Sequence, residues 1–197
     1  MMTVSNPRFL FDDYHRLGKL DLAPTRLLVF QGMSGSGKTT AIDYLCQHHR
    51  QFRDRSVKTF RLVGPRIQLP ALEEQLVVLD DVRFVRQLRP LGRLLRAGNT
   101  VLIASHLRPV YFLPWRLRWE SRVFVMDQNE AKIERYLARS KVVASRQAVR
   151  QYCRLFGANY LDVDFILERC PGSTFDEALA HFIKFCDLDL SPDPLWS

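Results

Sequence analysis

Residues 32–40 read Gly-Met-Ser-Gly-Ser-Gly-Lys-Thr-Thr, with the apolar run "LLVF" ahead of them and apolar residues again behind. Gly32, Gly37, Lys38 and Thr39 fit the spacing G-x-x-x-x-G-K-[ST] between an expected strand and an expected helix. That spacing makes a phosphate cradle. Glycines let successive backbone N–H groups turn inward around a phosphate. The helix N-terminus adds the positive end of its dipole. Lys38 reaches the outer phosphates, and the Thr39 hydroxyl can ligate Mg²⁺, which takes hard oxygen ligands. The whole segment, Gly32, Met33, Ser34, Gly35, Ser36, Gly37, Lys38, Thr39 and Thr40, is the expected nucleotide-binding loop.

Two further elements carry polar chemistry at the ends of apolar runs. In "LVVLDDV", Asp80 and Asp81 stand at the tip of a buried strand. A carboxylate there can hold the water shell of Mg²⁺, and Asp80 is the expected second metal residue beside Thr39. Asp81 either polarises an attacking water as a general base or caps the helix that follows. In "TVLIASH", Ser105 and His106 close a fourth apolar run. His106 at the carboxyl end of a parallel strand, where ligands bind, is either structural or a contact to the γ-phosphate or its water. The expected catalytic set is Lys38, Asp81 and His106.

These residues need a sheet to hold them. Strands are expected over 26–31, 57–63, 75–81, 100–106 and 122–127, and helices over 38–49 and within 83–97. Strands alternating with helices imply an α/β fold, a parallel five-stranded sheet flanked by helices. From residue 129 the pattern is helical only, near 129–140, 145–156, 160–169 and 174–186, with Thr174 and Glu177 at capping-box spacing. The expected organisation is an N-terminal extension (1–25), a core (26–128), a small all-helical subdomain (129–190) and a tail (191–197).

The chain has 197 residues and is 47% hydrophobic, enough for a folded core. No apolar run reaches the roughly 18 residues of a membrane span. The N-terminus lacks a basic start followed by an apolar stretch, so a cytoplasmic protein with no membrane partner is expected. Net charge is +8. From residue 155 onward, two basic residues, Arg169 and Lys184, face eight acids, so the first 154 residues are strongly basic. That fits a polyanion partner, a nucleic acid or a nucleotide alone.

Together, "GMSGSGKTT", "LVVLDD" and "TVLIASH" resemble the Walker A, Walker B and sensor 1 motifs of P-loop ATPases of the additional-strand branch, which holds AAA+ and RecA-like proteins. Only 42 positions separate Lys38 from Asp80. This suits AAA+ proteins and leaves no room for the helical insert of ABC transporter ATPases. Within AAA+, "LVVLDDVRFV", "IASHLRP" and, faintly, "NPRFLFDDY" are similar to bacterial replication initiators and helicase loaders. The resemblance spans roughly residues 7–140. It implies ATP and Mg²⁺ as ligands, hydrolysis of ATP, and a nucleic acid, a protein partner or a homo-oligomer as the object of the cycle. It also implies an arginine finger, for which Arg116, Arg118 and Arg122 are candidates. A sensor 2 arginine is not evident: "FGANYLDVDFILERC" offers Asp162 and Asp164 instead.

Arginines recur at 83, 86, 89, 93 and 96, opposite Phe84, Leu88, Leu91, Leu94 and Leu95. This is a solvated face over an apolar stripe, or a surface for phosphates. Arg108, Arg116, Arg118 and Arg122 interleave with Tyr111, Phe112, Trp115 and Trp119, which are either core or stacking residues. The same loop would also serve a small kinase passing the γ-phosphate to an acceptor, or a non-hydrolysing nucleotide-dependent adaptor. No [NT]-K-x-D guanine motif is present, which favours adenine.

Overall fold

Five short runs rich in aliphatic residues become five strands: β1 (Leu27–Gln31), β2 (Val57–Arg61), β3 (Leu76–Val82), β4 (Thr100–Ser105) and β5 (Ser121–Val125). In this computed structural model, residues 17–65, 67–126 and 129–186 are described. The start of the expected N-terminal extension, the segment "NPRFLFDDY" and the 191–197 tail lie outside them. Every strand pairing is parallel, in the order β2-β3-β4-β1-β5. β4 is buried at all positions and β1 at its first four, which is why these two read as unbroken apolar runs. The α/β parallel five-stranded sheet flanked by helices, followed by C-terminal helices, is the fold class that the residue pattern implies.

Two compact units divide the chain, Met1–Asp127 and Gln128–Ser197. In the first, α1 (Lys38–His48) follows β1, α2 (Leu91–Arg96) follows β3, and the very short α3 (Leu113–Arg116) precedes β5. Parallel crossovers are right-handed, so the direction of each step across the sheet decides which face its helix covers. The β3–β4 and β4–β5 steps run one way and the β1–β2 step the other. Accordingly, Leu27, Val29, Val77, Leu79, Val101 and Ile103 share one cluster with Leu88, Leu91, Leu94, Leu95 and Phe112. α1 lies against β1 and β4 and buries Ala41, Ile42 and Leu45.

The helix expected within 83–97 is broken. A 3₁₀ turn spans Val85–Leu88, and α2 starts only at Leu91. Pro90 stands between them, without an N–H to continue a helical ladder. Leu88, Leu91, Leu94 and Leu95 are buried as expected, and the five arginines are exposed, but Phe84 is 45% exposed. It precedes the turn, so the helical face assigned to it does not exist.

The second unit contains α4 (Glu130–Arg139), α5 (Arg146–Phe156), α6 (Tyr160–Arg169) and α7 (Phe175–Phe185). Ile133, Tyr136, Leu137, Val149, Tyr152, Val163, Ile166, Phe175 and Leu179 form its interior. α7 opens on the expected capping box. Thr174 Oγ1 accepts the Glu177 N–H at 3.3 Å, and Glu177 Oε2 accepts the Thr174 N–H at 2.9 Å. Asp162 accepts from Asn159 Nδ2 at 2.7 Å, and Asp164 accepts from the Tyr136 hydroxyl. Both acids serve the unit's own packing. No helix among the described residues is long and apolar enough to cross a membrane.

Candidate functional site

The turn from β1 into α1 is built by what glycine lacks. A Cβ on Gly32 would lie 2.7 Å from Ser36 Oγ and 3.1 Å from Met126 Cβ and its carbonyl oxygen. Gly35 and Gly37 adopt φ of 69° and 85°, the left-handed region that side chains disfavour. The Gly32 N–H donates to the Ser105 carbonyl at 3.1 Å, which ties the turn to the end of β4. α1 then starts at Lys38 with no acid in its first turn, so no carboxylate of its own competes for its N–H groups. Gly32 to Thr40 thus form one continuous loop and helix start. Met33, Ser34 and Thr39 are exposed within it, and Ser36 and Lys38 are buried.

Lys38 curls back over this loop. Its ammonium donates to the Gly32 carbonyl at 2.9 Å and to the Met33 carbonyl, with Ser36 Oγ at 3.5 Å. Burial lowers its pKa below the ordinary lysine value, against the pull of Asp80 and Asp81. Thr39 Oγ1 donates to Asp80 Oδ1 at 2.9 Å, so the two expected metal residues meet directly.

The two adjacent aspartates aim at different partners because β3 carries an irregularity. Leu79 pairs with Ile103 but Val82 pairs with Ser105, so Asp80 and Asp81 together oppose Ala104 alone. This is a bulge, with Asp81 at φ 63°, a conformation aspartate tolerates better than most residues. Asp80 faces Thr39. Asp81 Oδ1 accepts from Arg83 Nε at 2.8 Å and from His106 Nε2 at 3.2 Å. Burial alone would raise the Asp81 carboxyl. The Arg83 hydrogen bond and charge, with His106, outweigh it and hold the pKa below the ordinary aspartate value. Asp81 does not cap the following turn: Gln87 Oε1 accepts the N–H groups of Arg83 and Phe84 at 2.8 and 3.0 Å.

His106 lies just past β4. Burial first, then the positive charges of Lys38 and Arg83, push its pKa below 6.5 in spite of Asp81. At pH 7 it is neutral, with its Nε2 proton on Asp81 and Nδ1 left as an acceptor. Ser105 is fully buried; it donates to the Val82 carbonyl at 3.2 Å and accepts the Leu107 N–H at 2.9 Å, so it is structural.

Lys38, Thr39, Asp80, Asp81 and His106 therefore converge where β1, β3 and β4 end. Two charged neighbours are not evident in the motifs. Arg83 follows the bulge and clasps Asp81. Asp43, one turn beyond Thr39 on α1, has its carboxyl raised by burial and by Asp80. The i+4 spacing of Asp43 from Thr39 is the signal that could have found it. Among the described residues no group of three or more His, Cys, Asp and Glu side chains could hold a metal. Mg²⁺ keeps several waters and takes few protein ligands, so the Thr39–Asp80 oxygen pair fits it. Arg116, Arg118 and Arg122 are all exposed in the first unit.

No protein-family model matches the chain, and no curated protein matches it in sequence. Among solved structures, AMPPCP-bound DnaA from Aquifex aeolicus matches with a TM-score of 0.57 at 11% identity, over 95% of this chain and 68% of that one. The chain shares with it an α/β, P-loop-like fold, a parallel five-stranded sheet flanked by helices. The HORMA:CdnC:Trip13 complex of E. coli MS115-1 gives 0.46 at 14% identity, over 86% of this chain and 76% of that one.

Proposed function

We propose that this chain is an ATP-binding, ATP-hydrolysing P-loop protein of the AAA+ type that acts on a nucleic acid or on a nucleic-acid-processing partner. The observation that carries the reading is the convergence of a glycine-built turn, a buried lysine, a threonine–aspartate pair and a second aspartate at one sheet edge. The N–H groups of residues 33–39 hold the triphosphate, and Lys38 exchanges loop carbonyls for phosphate oxygens. Thr39 and Asp80 hold Mg²⁺, which when bound neutralises charge on the phosphates. Asp81, ionised throughout the physiological range, orients and polarises the attacking water. His106 fixes the Asp81 carboxylate and offers Nδ1 as an acceptor beside it. Nucleotide binding is supported by the fold shared with DnaA, whose matched structure is AMPPCP-bound. The nucleic-acid partner is supported by charge: eight arginines and no acid lie between residues 82 and 119.

Labelled ATP tests this reading. Free phosphate is expected, rather than a labelled acceptor or binding without turnover. Asp81→Asn, which suits the same backbone conformation, is expected to cut turnover by about 10²–10⁴-fold with nucleotide affinity retained. Full turnover in that variant contradicts the role of Asp81. A labelled acceptor would favour phosphoryl transfer instead.

A further inference from the structure

A cleft of about 520 Å³ lies between α2 and α3 with the segment that follows it, lined by Gly92, Arg96, Pro114, Trp115, Arg118 and Trp119. It falls within the roughly 300–1,000 Å³ of small-ligand pockets, enough for a nucleobase and its sugar. The two tryptophans stand one helical turn apart, the backbone N–H of Trp119 donating to the Trp115 carbonyl at 2.9 Å. Each packs partly against the sheet cluster and is partly exposed, whereas nearby Phe112 is fully buried. One side of each indole is thus fixed by the core while the remainder borders the cleft.

Gly92 keeps the opposite wall open. A Cβ there would meet only Trp115 Nε1, at 3.5 Å. Arg96 Nε donates to the Gly92 carbonyl at 3.1 Å, which pins that guanidinium at the rim. Of the eight arginines between residues 82 and 119, only Arg83 has a carboxylate partner among the described residues. Flat aromatic surface beside guanidinium groups that have no carboxylate partner among the described residues complements a stacked base between phosphates. Bases inside a duplex are already stacked and paired, so the ligand must present one free.

We propose that this cleft takes an unpaired base of a single-stranded polynucleotide, stacked on Trp115 and Trp119, with its phosphates on Arg96 and Arg118. This deepens the nucleic-acid part of the proposed function and does not depend on the nucleotide loop. Base faces and phosphate oxygens, the groups this cleft would contact, are common to both kinds of strand. DNA and RNA strands are therefore both ligands.

Fluorescence anisotropy with labelled oligo-dT and oligo-U tests this on the full chain. Gly92→Leu fills the cleft and leaves every charge and both indoles in place. It is expected to weaken binding of both oligonucleotides by at least about tenfold. Arg118→Glu, an exposed change that the fold tolerates, is expected to do the same. MgATP affinity stays at the wild-type value in Gly92→Leu. Both variants binding like wild type overturns the proposal, and so does duplex DNA or polyglutamate competing as well as a single strand. If the wild type binds MgATP but no oligonucleotide, the cleft proposal and the nucleic-acid reading fall together and the nucleotide site stands. If Gly92-dependent oligonucleotide binding survives while no nucleotide binds, the cleft stands and the nucleotide reading falls.

Discussion

Asp81 and His106 share one proton-bearing contact, and their pKa values are moved in the same direction by different causes. The Asp81 carboxyl lies below its ordinary value because Arg83 and His106 outweigh its burial. His106 lies below 6.5 because burial and two neighbouring cations disfavour its charged form. The sign follows directly: His106 stays neutral to a lower pH than an ordinary histidine, and Asp81 stays ionised over that range. The acid limb of ATP turnover is therefore expected below the pH at which an ordinary histidine titrates. In His106→Gln that acid limb disappears. A limb centred above pH 7 in the wild type, or one unchanged in the variant, contradicts this assignment.

The β1–α1 turn depends on atoms too close to admit a side chain. Gly32→Ala puts a methyl group 2.7 Å from Ser36 Oγ, and the backbone carbonyl of Met126 closes the other side. Overpacking of this kind costs about 1–3 kcal/mol. Thermal unfolding is expected to show that loss, and nucleotide titration a drop in affinity of at least about tenfold; Ser36→Ala in the same chain recovers part of both. A variant with unchanged melting and affinity contradicts the close-approach reading. This loop was legible in the sequence because its chemistry forces its residue types. So were β1, β3 and β4, whose burial on both faces leaves unbroken apolar runs, and α7, whose Thr174–Glu177 spacing is local. The bulge at Asp80–Asp81 was not legible. It depends on the register between β3 and β4, a long-range pairing that no local pattern encodes, and the Arg83–Asp81–His106 clasp follows from it. Residues 107–120 gave no element either, since their 3₁₀ turn and single helical turn are too short to show a period.

On the scale of the whole chain, the proposed nucleotide site and the proposed base cleft both lie in the first unit. Its sheet gathers polar side chains at the carboxyl ends of three neighbouring strands, while the arginine-rich stretch covers the layer over one face. In the second unit, Asp162, Asp164 and Glu177 serve its own caps and packing. The two charge patterns were visible as the imbalance about residue 155. The proposed nucleotide site rests on the 32–39 turn and Lys38 holding a triphosphate with Mg²⁺. Calorimetric titration of ATP with and without Mg²⁺, on the wild type and on Lys38→Ala, tests it most directly. Binding is expected to depend on magnesium and to weaken by at least about tenfold when the ammonium is removed. A wild-type chain with no magnesium-dependent affinity for any nucleoside triphosphate would contradict it.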